Sequence, residues 1–451
     1  MANKLKKREK GRGLRFWAWQ TMGVSTAANF IVIGFVTIYC TNALHLDPAL
    51  VGVLLMASKI VDAVTDLFAG YIVDKTNTKW GKGRPYEWAI IGVWLCTWLM
   101  FSAPAAASTV VKSIWVLAMY IFVNAIFSTL LNASGNPYMI RAIGSNEERI
   151  EIASFGGIVV MIASIVINIT FPIAMSRIAT SPAGWSRMIA LFAVPLGLIG
   201  ILRFFLVKET IKVDDVGEER VKFADVITVL KKNPYVYMIA ALQLVYSLVN
   251  GTGVMSYFYT YVVGNVEIMG IVNSVVVIVL PVLFFFPLIM KKIPMGKLVQ
   301  IGCVVYAVGA AMTFLAIGNI PILVAAAIIM GVGVLPITYL MNLLMLDCGT
   351  YNSWKGYKRM DGTIGAIKGF AGKLGSAFGS GLLGWLLSAA AFDPDAAVQN
   401  SGTLFAIRSV QGLIPAILFV GLAVMMCFYK LDKLMPQIKA DLEERNISID
   451  N

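Results

Sequence analysis

The sequence predicts an all-α membrane protein of twelve transmembrane helices in two pseudo-symmetric six-helix bundles. Three observations carry that expectation. The 451 residues are 58% hydrophobic and only 14% charged, against roughly 25% charged in soluble domains. Apolar runs of the length that crosses a bilayer, about 20 residues, recur at approximately 16–44, 48–74, 86–107, 113–140, 151–177, 185–207, 235–263, 265–290, 298–318, 320–347, 362–390 and 403–430. With the N-terminus placed inside, 30 Lys and Arg residues fall in inner segments and 4 in outer ones. Basic loops stay on the cytoplasmic side, so both termini are expected there, with the chain spanning the cell membrane.

Met1–Arg15 is basic and has no apolar core, so it reads as a cytoplasmic tail and not as a cleaved signal. Span 1 carries a mildly polar stripe, Gln20, Thr21, Ser25, Thr26 and Asn29. Thr26 and Asn29 are candidates for substrate contact. Span 2 holds Asp62 and Asp66, four residues apart and so on nearly one helix face. Thr65 lies alongside and Lys59 one turn earlier. Ionisable groups at membrane depth are costly and point to function. Two carboxylates on one face suit a small hard cation, which takes oxygen ligands. They equally suit one shared proton, because close carboxylates resist joint ionisation. The competing reading is a structural ion pair with Lys59 or with a Lys from another helix.

Span 2 ends in a basic loop. Gly70 is expected to allow close helix packing, and Asp74 to pair with a helix end or an Arg. Lys79, Lys82 and Arg84 are expected to pair with acids of neighbouring loops, as a cytoplasmic gate. Span 4 contains Asn124, Asn132, Ser134 and Asn136 before Pro137 and Tyr138. Asn132 offers an oxygen to the cation, and Asn136 and Tyr138 offer polar groups to substrate. Helix–helix hydrogen bonding is the alternative for the two asparagines. Lys208–Pro234 is the longest polar stretch between spans. It divides the chain into bundles at 1–207 and 235–451, with 208–234 as a cytoplasmic linker. The loop after span 8 (Lys291, Lys292, Gly296, Lys297) echoes the loop after span 2. Such internal repeats suit a transporter that rocks about a central site.

Span 7 supplies Gln243 and Tyr246 as candidate substrate groups. In span 11, Gly362, Gly365, Gly369, Gly372, Gly375 and Gly379 recur every three or four residues. They form a small-residue face for close helix approach. Lys373 on this span is a candidate charge partner for Asp62 or Asp66, as is Lys59. Lys368 either faces substrate or snorkels to the cytoplasmic surface.

Several classes are excluded. The net charge of +12 follows membrane topology, so no nucleic-acid partner is expected. The five cysteines are scattered and His45 is the single histidine, which leaves no zinc, haem or His-triad pattern. The residues around Lys373 fail the P-loop pattern. No enzyme activity, no cofactor and no metal are expected, beyond H+ or a Na+ at Asp62 and Asp66 as coupling ion.

The pattern Asp62-x3-Asp66-x3-Gly70-x3-Asp74-x-Thr76-x2-Lys79-Trp80-Gly81-Lys82-x-Arg84-Pro85-Tyr86 resembles the glycoside–pentoside–hexuronide:cation symporters of the major facilitator superfamily, the melibiose permease-like family. The resemblance extends to Asp347-x3-Tyr351-x3-Lys355-x2-Lys358-Arg359-x2-Gly362 and to Lys373-x-Gly375-Ser376-Ala377-Phe378. It implies the twelve-helix major facilitator fold, alternating access and a sugar-type substrate. It carries cation binding onto Asp62 and Asp66 and their charge partner onto Lys373. Galactoside-type members bear acids at places that here are Thr26 and Gly135, and an Arg near Gly156. Lys368 falls where the family has a sugar-facing polar residue. Fewer acids and an added Lys tilt the expectation toward an anionic sugar such as a uronide. A monomer is expected. A lysolipid-type cation symporter and a non-transporting membrane sensor stand as alternatives.

Overall fold

The structure, a computed structural model, describes residues 13–144, 146–211, 231–357, 360–396 and 398–444. Most of the expected linker, the motif residues Lys358 and Arg359, and the side chain of Asp74 lie outside the described residues. The described chain is helical apart from its loops and one isolated β-bridge between Thr78 and Gly81. Backbone N–H and C=O groups have no water to pair with inside a bilayer, which makes the self-satisfied helix the favoured element.

In the first part of the chain the longer α-helices are α1 (Leu14–Ile33), α2 (Pro48–Lys75), α3 (Ala89–Met100), α4 (Thr109–Ile121), α5 (Thr129–Ala142), α6 (Asn146–Ile178) and α7 (Pro182–Leu206). In the second they are α8 (Pro234–Gly251), α9 (Glu267–Val275), α10 (Met295–Leu315), α11 (Ile320–Trp354), α12 (Asp361–Ala389), α13 (Ser401–Arg408), α14 (Ile414–Met426) and α15 (Leu431–Glu444). Their starts are written in the sequence. Asp47 accepts the Leu50 N–H at 3.0 Å and is followed by Pro48, Asn233 accepts the Tyr235 N–H and is followed by Pro234, and Asn400 accepts the Thr403 N–H at 2.8 Å. A polar cap before a proline at the first helical position meets the orphan donors of a helix start.

Eight described segments are long and apolar enough to cross a membrane: Leu14–Ala43, Thr109–Ala142, Gly156–Ile178, Pro182–Leu206, Pro234–Val262, Met295–Leu315, Ile320–Trp354 and Ser401–Glu444. Helix α2 covers the second expected run, but Lys59, Asp62, Asp66 and Asp74 interrupt its apolar character. The chain separates into two compact units, one mainly of residues up to 216 and one mainly of residues from 217 onward.

Inside the first unit, Phe16, Trp19, Tyr138, Ile143, Ile152 and Val207 form a buried cluster. At its edge Arg203 and Glu87 make a bidentate ion pair with both contacts at 2.6 Å. Glu87 is 0% and Arg203 7% exposed, and the guanidinium carbon lies 4.7 Å from the Trp19 ring and 5.4 Å from the Tyr138 ring. Arg203 stands in the last turn of α7, where a buried carboxylate and two aromatic faces give its charge a home.

In the second unit, Gly375 and Gly379 of α12 sit against the carbonyls of Leu244 and Leu248 on α8, where a Cβ would collide. The expected small-residue face is present at these positions. Gly369 faces open space.

Candidate functional site

Asp62 and Asp66 lie one turn apart on α2, as their spacing requires. The structure adds a third group. The Thr129 hydroxyl, at the first position of α5, is 3.0 Å from Asp62 Oδ1 and 3.0 Å from Asp66 Oδ1. It is also 3.1 Å from the main-chain carbonyl of Asn124. A π-helical stretch, Phe122–Ser128, runs immediately before it. In that wider turn the Asn124 carbonyl accepts the Thr129 N–H, and the hydroxyl lies against the same carbonyl. Such insertions recur at functional sites.

The arrangement has a hydrogen-bond imbalance. One hydroxyl proton faces three oxygen acceptors, and a hydroxyl donates only once. The remaining oxygen–oxygen approaches are favourable when a carboxyl is protonated and donates back, or when a cation sits among the oxygens. Thr129 is 4% exposed, whereas Asp62 is half-buried and Asp66 exposed. The hydroxyl is fixed and the carboxylates are reachable.

The other expected cation-site residues are placed as follows. Thr65 donates its hydroxyl to the main-chain carbonyl of Asp62 at 3.1 Å. Asn132, one turn beyond Thr129 on α5, is exposed. The Lys59 ammonium lies 5.6 Å from the centre of the Tyr120 ring on α4. Lys373 is half-buried on α12, beside the glycines that meet α8.

The expected substrate residues divide into two groups. Asn29 is buried and donates to Thr97 Oγ1 on α3 at 2.8 Å, and Tyr138 is buried and donates to the Val207 carbonyl at 2.7 Å. Their polar ends hold helices together, and neither is turned to a ligand. Thr26 is bonded back to the carbonyls of Met22 and Gly23. Asn136 is exposed. In the second unit Gln243 donates to Ser247 Oγ at 2.9 Å, Tyr246 packs at the edge of the core, and Lys368 donates to Asn342 Oδ1 at 2.7 Å.

The loop after α2 is organised by an acid that the sequence reading did not single out. The Glu209 carboxylate accepts the backbone N–H groups of Lys82, Gly83 and Arg84 at 2.9, 2.8 and 2.7 Å. Gly81 adopts φ +117°, a conformation open to glycine, and a Cβ there would strike that carboxylate. Successive N–H groups around one anion form a nest. Arg84 donates from Nε to the Phe204 carbonyl at 2.9 Å and covers the Phe204 ring. Lys79 is exposed beside Trp80. Gly70 departs from expectation: nothing lies within 4 Å of the place of a Cβ, so close packing in this structure is not its reason. In the second unit the Gly296 N–H donates to Asp432 Oδ2 at 2.8 Å, so the loop that echoes the first is likewise met by an acid.

Thr129 had a signal in the sequence: it stands three residues before Asn132, on the same helix face. Glu209, Glu87 and Arg203 had only their closeness to the ends of apolar runs.

The family profile described as MFS/sugar transport protein matches residues 21–433. The chain belongs to this family. It is therefore a multi-pass membrane transporter and not an enzyme, as the intramembrane charges and the resemblance implied. Three relatives align over most of its length. The isoprimeverose transporter of Lactiplantibacillus pentosus is 25% identical over 92% of this chain and 88% of its own. The putative glycoside/cation symporter YagG of Escherichia coli (strain K12) is 24% identical over 87% and 86%. The glucuronide carrier protein homolog of the same strain is 22% identical over 91% and 91%. Among solved structures, a bacterial homolog of the human lysosomal transporter Spinster superposes with a TM-score of 0.67 over 94% of this chain and 99% of that one, at 13% identity. That likeness carries the transporter fold alone.

Proposed function

We propose that this transporter is a symporter that imports an anionic sugar, such as a uronide, with H+ or Na+. In this reading twelve helices form two six-helix bundles, 1–207 and 235–451, joined by a cytoplasmic linker, in the cell membrane with both termini cytoplasmic. The observation that carries it is the single Thr129 hydroxyl shared by Asp62 and Asp66. Here two carboxylates from one helix and a hydroxyl from another converge within hydrogen-bond distance, an oxygen cluster of the kind a proton or a small hard cation can enter. Asn132, one turn beyond Thr129 on α5, offers a further oxygen. The charge of Lys373 is coupled to theirs during the cycle. Lys368, with Gln243 near it on the second unit, supplies the sugar contact. The backbone nest around Glu209 is the part of the gate that holds the loop after α2.

The test is uptake into proteoliposomes under an imposed Na+ or H+ gradient, across matched uronides and neutral glycosides. One gradient is expected to drive accumulation and the other to add little. Uptake that only equilibrates under both gradients overturns the symport assignment.

A further inference from the structure

We infer that Asn342 is a positioning residue that fixes the Lys368 ammonium as the recognition group for the carboxylate of an anionic sugar. The inference rests on the transport reading above and names a residue outside it.

Asn342 stands on α11 and Lys368 on α12, and they meet at 2.7 Å, a short contact for an ammonium and an amide oxygen. The direction is informative. Lys368 is two turns inside α12, and a snorkelling lysine runs back along its own helix toward the nearer surface. This one crosses to Asn342, which at 1.5 Å per residue lies about 18 Å along α11 from its end at Trp354. The ammonium is held across the unit and not at its rim.

The choice of partner matters as much as the direction. Among the described residues no carboxylate pairs with Lys368. An amide oxygen orients an ammonium without cancelling its charge, and it uses one of three hydrogens. Two hydrogens and the full charge remain for a ligand. The neighbourhood leaves room: Asn342 is exposed, and nothing lies within 4 Å of the Cβ position of Gly369. One turn beyond Lys368, the Cβ position of Gly372 is 3.1 Å from Gln243 Nε2 and 3.3 Å from Ser247 Oγ. A charged donor and, one turn away, an amide–hydroxyl pair match a ligand with a carboxylate on one side and hydroxyls on the other.

The experiment compares transport of methyl β-glucuronide and methyl β-glucoside by wild type, Asn342→Leu, Asn342→Asp and Asn342→Gln in proteoliposomes. The wild type is expected to favour the glucuronide. Asn342→Leu removes the acceptor at similar size, and the KM for glucuronide is expected to rise about tenfold more than that for glucoside, the scale of a hydrogen bond to a charged group. Asn342→Asp neutralises the ammonium and abolishes the preference, as Lys368→Gln does, while Asn342→Gln restores part of it. A role in helix packing alone moves both sugars together through Vmax, and that pattern overturns the inference, as does an unchanged KM ratio in Asn342→Leu. Transport of the glucoside without any wild-type preference for the glucuronide overturns it too, and leaves sugar transport standing. Accumulation of neither sugar under either gradient sinks the symport reading and this inference together.

Discussion

The first unit contains two carboxylate centres of opposite design. Glu87 is fully buried, gripped by both arms of Arg203 at 2.6 Å, with Trp19 and Tyr138 over the guanidinium. Asp62 and Asp66 are open and share one hydroxyl of Thr129. Both centres put acid among apolar helices, where a charge needs a reason. In the first, the partner is a permanent cation with matched geometry, so the pair is a rivet. In the second, two acids meet on one small hydroxyl at a site that is not sealed from its surroundings, and a mobile ion can enter it.

Four substitutions break or sharpen that contrast. Arg203→Met strands Glu87 in the core and is expected to cost about 3–5 kcal/mol of stability, seen as a large loss of folded, monodisperse protein on heating. Thr129→Val removes the shared donor and weakens activation by the coupling ion by about 1.5–3 kcal/mol, read as a shift in the ion concentration for half-maximal uptake; Thr129→Ser retains it. Glu209→Gln weakens the nest by about 1–2 kcal/mol, and faster amide exchange at Lys82, Gly83 and Arg84 reports it. Asp66→Asn changes the thermal midpoint least, by the equivalent of about 0.5 kcal/mol, because an exchangeable site is not a rivet. If Arg203→Met and Asp66→Asn destabilise alike, the distinction between the two centres fails.

Much of this was legible in the sequence, for physical reasons. The acid spacing on α2, the capped helix starts and the glycines of α12 are local signals with fixed helical geometry. The Thr129 contact was not, because it depends on how α5 turns after Phe122–Ser128, and a wide helical turn has no simple residue signature. Asn29 and Tyr138 illustrate the opposite error. Their polar character suggested ligand contact, yet their partners, Thr97 and Val207, lie 68 and 69 residues away in sequence. Glu209 was hidden because its partners are backbone N–H groups, which every loop possesses.

The central claim is that Asp62, Asp66 and Thr129 bind the coupling cation, and gradient-driven accumulation set against substrate exchange tests it most directly. Asp62→Asn and Asp66→Asn proteoliposomes are predicted to lose accumulation under the driving gradient while still exchanging internal for external sugar. Full gradient-driven accumulation in both variants contradicts the claim.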